Sequence, residues 1–227
     1  MPGVGVGNAP PAITLNEAQT IEHAASHPIA PVAGEGWKSM FDGETLTGWR
    51  PTDYGSKTRV EARRGLIYLG AGAPFNGINW TNDTPNVGYE ISLEAMRTSG
   101  SDFFCGLTFP VRDSFCSLIV GGWGGSIVGL SNVDGADASE NETTKYISFE
   151  TGKWYRIQLR VTADKIEAWV EQKKVVNVTT TGRKLSLRFG EIELSKPLGI
   201  AAWDTGAALR EIKIRKVTAP DSAAEPQ

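Results

Sequence analysis

Histidine is nearly absent from this 227-residue chain: there are two, His23 and His27, both ahead of the first strong strand pattern. That scarcity leaves no parts for a Ser–His–Asp triad, a Cys–His nucleophile or a multi-histidine metal site. Cysteine is as sparse, with Cys105 and Cys116 alone. No apolar run approaches the ~18 residues that a membrane-spanning helix needs. Neither sign of charge prevails. With 23 basic and 26 acidic residues the net charge is −3, which argues against the basic face that a phosphate backbone would need, and no nucleic-acid partner is expected. The start, MPGVGVG, lacks the basic-then-apolar pattern of a signal peptide. It reads as a mature form with an added methionine, consistent with a periplasmic or extracellular bacterial protein.

Glycine and tryptophan are what the chain has in quantity. Its 26 glycines and seven tryptophans, with 40 % hydrophobic residues, describe a globular chain rich in strands and loops. The length suits one β domain with an arm. Residues 1–35 are rich in Ala, Pro and Gly. Within them, 14–26 predicts one helix, with Thr14 as N-cap, Glu17 three residues on, an apolar stripe through Ile21 and Ala25, and a stop at Pro28. Such an arm is expected to dock on the domain or on a second copy, making a homo-oligomer contact. The domain is expected over 36–217, followed by a disordered Ala/Pro/acidic tail at 218–227.

The stretch 36–49, GWKSMFDGETLTGW, marks where the domain begins. Trp37 and Trp49 bracket Asp42-Gly43, a turn pair in which Asp caps its own backbone and Gly accepts φ > 0. Leu46 and Trp49 are apolar anchors. The block predicts the first hairpin of an all-β domain, with both tryptophans in the core.

Further along the period is two. In 87–96, Tyr89, Ile91, Leu93 and Ala95 alternate with Glu90, Ser92 and Glu94. In 154–161, Tyr155, Ile157, Leu159 and Val161 alternate with Arg156, Gln158 and Arg160. Strands follow at 165–170, 174–178 and 209–217. Strands of this kind predict antiparallel sheets with one face on a shared core and one wet, hence a two-sheet antiparallel β-sandwich. Phe75, Asn76, Asn79 and Trp80 fall in a loop-like stretch bordering a concave sheet. The cysteines allow two readings. A hairpin centred between Pro110 and Val111 would set them opposite one another for a disulfide, whereas a slip of one residue leaves two buried thiols.

The segment 121–144, GGWGGSIVGLSNVDGADASENETT, is the most polar and least core-like. It reads as one long loop, a length usually reserved for functional segments. Trp123, among four glycines, is either a platform for the apolar face of a sugar ring or a core tryptophan at a bulge. Asp134, Asp137, Glu140 and Glu142, with Asn132 and Asn141, crowd oxygen ligands together. Three readings stand: a solvated turn, an acid/base pair for glycoside cleavage, or a calcium site using Asp134, Asp137 and Glu142 without EF-hand spacing. Asp102 is either strand-start turn chemistry or a cleft carboxylate. Trp203-Asp204 supplies either a second ring and acceptor for sugar hydroxyls or a core residue and its turn.

The order of these elements resembles the 3-keto-disaccharide hydrolase domain family. The features are W-x-x-x-F-D-G-x-x-L-x-G-W at 37–49, K-W-Y-R-I at 153–157, K-K-V-V at 173–176, and P-L-G-I with L-R-E-I-K-I-R within 197–215. The resemblance covers nearly all of 36–217. It implies a concanavalin A-like jelly roll and a sugar-facing domain, with hydrolysis of 3-keto-glycosides proposed for some members. Two positions depart from the pattern. Many members read Asn-Ser-Gly-Ile where this chain has 104–107 as FCGL, and the family's Tyr-Glu stands here as Phe115-Cys116. The resulting expectation is a glycoside hydrolase-like domain with Glu140, Asp134 or Asp137 as acid/base. Trp123, Trp203, Asp204, Asn141 and Asp102 would hold the carbohydrate. A non-catalytic glycan-binding module, needing the aromatics and amides but no proton-transfer pair, is the alternative.

Overall fold

A computed structural model describes residues 16–55, 58–72 and 74–217. After one helix, α1 (Glu17–Ser26), come fifteen strands in two antiparallel sheets. The back sheet runs β13 (Lys173–Thr179), β12 (Lys165–Val170), β11 (Trp154–Val161), β6 (Tyr89–Gly100), β15 (Thr205–Lys216), β4 (Leu66–Leu69), β3 (Val60–Arg63), with β1 (Lys38–Ser39) also on β15. The front sheet runs β10 (Lys145–Tyr146), β9 (Ile127–Ser131), β8 (Ser114–Gly122), β7 (Cys105–Val111), β14 (Gly199–Trp203), β5 (Phe75–Trp80), β2 (Trp49–Pro51). This is the two-sheet sandwich that the period-two pattern predicts, and the jelly roll that the family resemblance implies. No helix among the described residues is long and apolar enough to cross a membrane.

The alternation places the core. Leu93 and Ile157 face each other across β6 and β11, as do Ile91 and Leu159, and all four are buried between the sheets. Each such side chain contributes about 1.5–3 kcal/mol on burial. The 36–49 block behaves as its turn chemistry requires. Asp42 Oδ1 accepts from the Glu44 and Thr45 amides at 2.8 and 2.7 Å, and Gly43 has φ 86°. Trp49 is in the core, its Nε1 donating to Met40 O at 2.6 Å. Trp37 is not. It is half-buried at the surface, under the Arg215 guanidinium at 4.6 Å.

Several expectations need correction. Helix α1 is capped by Asn16, whose side chain accepts from Gln19 N while Gln19 returns a bond to Asn16 N; Thr14 and the tail from 218 lie outside the described residues. The helix lies on the back sheet's outer face, where Ile21 and Ala24 pack with Leu66, Tyr68, Met96 and Ala208. That cover explains the second correction. Glu90, Ser92 and Glu94, expected to be wet, are buried, because arm residues beyond the reach of local patterning lie over them. Third, 121–144 is not one loop: Val128 and Leu130 alternate into the core and form β9 inside it. Likewise 75–80 is a strand, β5, and not a loop. Of the two readings for the cysteines the structure takes the buried thiols, because the β7–β8 hairpin turns at Arg112 and Asp113. Cys105 therefore faces Val120 and Cys116 faces Phe109, and both are buried free thiols.

Candidate functional site

Side chains of the front sheet that point away from the core form the floor of a cleft of about 510 Å³. Ser117 on β8 and Ser131 on β9 are register partners and both line it. Ser117 shares a 2.7 Å hydrogen bond with Thr108 on β7, giving a short row of buried hydroxyls. Around this row stand rings. Phe75 stacks on Tyr54 with centroids 4.9 Å apart and meets Trp203 edge-on at 4.6 Å. Phe103 lies across Gly106, where a Cβ would come within 2.9 Å of its ring. Glycine is what lets an aromatic ring lie against the sheet there.

The opposite wall is the segment 188–192, contributing Arg188, Phe189, Glu191 and Ile192. Phe189 is 95 % exposed, an apolar ring with no burial to account for its place. The segment is held down from below. Asn79 Nδ2 donates to Leu194 O at 3.0 Å and Lys196 O at 3.1 Å, and the Tyr54 hydroxyl shares a 2.6 Å bond with Ser195. Burial raises the Tyr54 phenol above its ordinary value, with the Ser195 bond opposing.

Trp123 sits at the rim, in the β8–β9 turn, with φ 49°. The turn hangs from Arg97, a buried guanidinium that donates to Gly125 O at 3.0 Å and Gly121 O at 3.4 Å. Desolvation lowers the Arg97 pKa, with Asp102 pulling the other way. Asp102 also lines the cleft. Its Oδ1 accepts from Phe103 N at 2.8 Å and its Oδ2 from Gly124 N at 3.0 Å, so the carboxylate orients the same turn and retains lone pairs for a ligand. Arg188 reaches across, its guanidinium 5.6 Å from the Trp123 ring.

Of the residues singled out from sequence, Trp123, Trp203 and Asp102 are brought together in this cleft. The acidic-loop residues are elsewhere. Asp134 accepts from Lys184 N at 2.7 Å and pairs with Arg183 at 2.5 Å, and these contacts, the amide first, lower its pKa. Glu142 takes the other side of Arg183 at 2.5 Å. Asp137 caps Ser139 at 2.9 Å and meets the cleft only through Arg188, at 3.5 Å. Glu140 is exposed and outside the lining. Asn141 staples the loop, donating to the carbonyls of Leu130, Ala136 and Asp137. Asp204 is exposed in the turn after β14, with φ 49°. Among the described residues no three His, Cys, Asp or Glu side chains are grouped as a metal ion would require, so Asp134, Asp137 and Glu142 do not assemble a calcium cage. Arg188, Phe189 and Glu191 carried no sequence signal. Arg188 and Phe189 occur in an irregular stretch without periodicity, and Glu191 opens a short 3-10 helix, Glu191–Ser195.

The jelly-roll sandwich is a fold shared by carbohydrate-binding and glycosidase domains. The sequence profile of the 3-keto-alpha-glucoside-1,2-lyase-like domain matches residues 36–215, and the chain belongs to that family, as the motifs at 37–49 and 197–215 suggested. Solved structures share the fold. Carbohydrate-binding module CBM66 from Bacillus subtilis gives a TM-score of 0.52 at 12 % identity, covering 74 % of this chain and 96 % of that one. A proposed glycosyl hydrolase from Parabacteroides distasonis gives 0.51 at 13 %, over 90 % and 99 %. Domain 4 of the extracellular arabinanase AbnA from Geobacillus stearothermophilus, solved with arabinotriose, gives 0.50 at 11 %, over 80 % and 91 %. No curated protein sequence matches the chain.

Proposed function

We propose that the chain binds a carbohydrate in the front-sheet cleft, with Trp203, Trp123 and Phe189 offering ring faces and Ser117, Ser131 and Asp102 meeting hydroxyls. The observation that carries this reading is the pairing of solvent-facing rings with a floor of hydroxyls in one open cavity. Sugar rings present apolar C–H faces and polar edges, and amphipathic clefts of this kind select them.

The family's description supports a second, catalytic reading. In a 3-keto-glucoside the carbonyl acidifies the C2 proton. A base that takes this proton sends the C–H electrons into a C1=C2 bond as the C1–O bond breaks, releasing the aglycone alkoxide for protonation. Asp102 is the cleft carboxylate whose orientation is fixed by two amides, and Arg188 is a cation available to the developing enolate oxygen. Acid/base work by Glu140, Asp134 or Asp137 draws no support from positions outside the cleft.

Calorimetric titration and product analysis with methyl α-glucoside and its 3-keto derivative test both readings. Binding that Trp203→Ala weakens about tenfold supports the cleft. Turnover of the keto sugar that disappears in Asp102→Asn with binding retained supports the lyase. Turnover lost instead in Glu140→Gln would return the chemistry to the acidic loop, and failure of both sugars to bind defeats both readings.

A further inference from the structure

At the opposite end of the front sheet lies a second cavity of about 660 Å³. Phe75 at the start of β5 lines the first cavity and Trp80 at its end lines the second; Ile119 and Ser117 on β8 line the first and Phe115 the second. Ser117 and Phe115 are two residues apart, so the cavities begin about 7 Å from one another along the strand. Asn79, between Phe75 and Trp80 on β5, tethers the backbone of Leu194 and Lys196. Trp80 packs on the inter-sheet core cluster while Phe75 belongs to the outer-face cluster, so the two cavities are separate.

The walls of the second cavity are preformed. The loop after β5 is tied to the β7–β8 turn by Asn86 Nδ2 donating to Arg112 O and Arg112 N donating to Asn86 O, both at 2.9 Å. Arg112 is anchored in turn on Thr180 O at 2.7 Å. The groups facing this cavity are unusually uncommitted. The side chains of Arg50, Asn82, Asp83 and Asp113 line it, and none has a hydrogen-bond or ion-pair partner among the described residues. Thr84 Oγ1, on the same wall, is buried with no partner, a cost that a protein ordinarily avoids. Two arginines, Arg50 and Arg112, and two aspartates, Asp83 and Asp113, line it together. The balance of sign suits neither a phosphate nor a carboxylate ligand. It suits a neutral polyhydroxyl compound, to which guanidinium groups donate and carboxylates accept, with the rings of Trp80 and Phe115 as the apolar surface.

We propose that this second cavity is a separate binding site for a neutral glycan. The proposal extends the carbohydrate reading of the first cleft, yet can stand or fall apart from it, because each cavity has its own indole. The test is an NMR titration of the full chain with maltotriose and raffinose, with glucuronate and inorganic phosphate as anionic probes. The Trp80 indole reports on the second cavity, and those of Trp123 and Trp203 on the first. The expected result is a saturable shift of Trp80 with a neutral sugar, weakened about tenfold in Arg50→Ala/Asp113→Ala, the loss expected from one or two charged hydrogen-bond partners. Both substitutions are at exposed side chains without partners, so folding is retained. Shifts confined to Trp123 and Trp203 overturn the second site and leave the first. A Trp80 shift alone overturns the first and leaves the second. Response to the anions only, a Trp80 shift untouched by the double substitution, or no response at all, overturns the proposal.

Discussion

Arg210 Nε lies 2.7 Å from Glu94 Oε2, with both side chains 4–5 % exposed, on the face of the back sheet turned away from the core. The other Glu94 oxygen meets Arg156 at 2.6 Å. Both arginines also donate to the arm, Arg210 to His27 O at 2.8 Å and Pro28 O at 2.7 Å, and Arg156 to Ala30 O. One carboxylate on β6 therefore ties β11 and β15 to its own strand, and through them the arm. Glu94→Ala would leave two guanidinium groups buried without their counter-charge. The expected loss is about 3–5 kcal/mol, as for other broken buried pairs, read by urea unfolding. A loss below about 1 kcal/mol would mean that the arm lifts and water solvates the arginines.

Alkaline pH should expose a different weakness. Burial raises the pKa of Tyr54 and Tyr68 and pushes that of Tyr89 well above 10.0. It also pushes the Cys105 and Cys116 thiols from 9.0 to about 12. In each case the folded state retains its proton while the unfolded chain releases it. Stability is then fully present below the unfolded pKa and is lost as pH rises, from about 9 for the thiols and 10 for the phenols. Melting temperature should fall steadily between pH 9 and 12, and less steeply in Cys105→Ala/Cys116→Ala. A flat profile across that window would show that these groups titrate alike in both states.

Residues 154–161 show how much of this was legible. Tyr155, Ile157, Leu159 and Val161 are buried as their alternation requires, and paired alternating strands imply a sandwich. What failed were inferences needing a distant neighbour. Glu90 and Glu94 look like solvent residues in any local window, because their cover comes from the arm and their counter-charges from β11 and β15. β9 hid in a glycine-rich stretch because only Val128 and Leu130 enter the core. In the cleft, the tryptophans were legible as residue types. The wall formed by Arg188 and Phe189 was not, because it is irregular chain, and the helix turn that follows it is held at Leu194 by a side chain, Asn79, more than a hundred positions earlier.

Arg97 gives a way to move Trp123 without touching a ligand. Its carbonyl contacts at Gly121 and Gly125 set the turn that carries the indole, and its charge lies over the Phe104 ring at 5.2 Å. Arg97→Lys keeps the charge but loses the planar fork. Affinity in the first cleft should fall roughly three- to tenfold while the second cavity is unaffected, with the Trp123 indole resonance displaced in the ligand-free protein. An unchanged resonance would show that the turn holds itself.

The acidic loop should prove a structural element of modest strength. Arg183 bridges Asp134 and Glu142 with all three side chains 32–48 % exposed, where water screens such pairs and they contribute little. Arg183→Ala is expected to leave the melting temperature nearly unchanged, and calcium added to chelator-treated protein should leave it where it was. A calcium-dependent rise, enlarged when Arg183 is removed, would instead make the loop a cation site that the arginine occupies in its absence.

Asn79 links stability to binding most directly. Only 2 % exposed, it donates to Leu194 O and Lys196 O, just beyond the 188–192 wall of the first cleft. Asn79→Ala leaves Leu194 O and Lys196 O without that donor, at a cost of about 1–3 kcal/mol. The effect should be local, because β5 still pairs through its backbone with β14 and β2. Amides of residues 188–196 should exchange faster with solvent while those of β6 and β15 stay protected, and affinity in the first cleft should fall with them. Equal acceleration throughout the sandwich would mean that Asn79 serves the whole fold, and an unaltered affinity would mean that the 188–192 wall takes no part in holding the ligand.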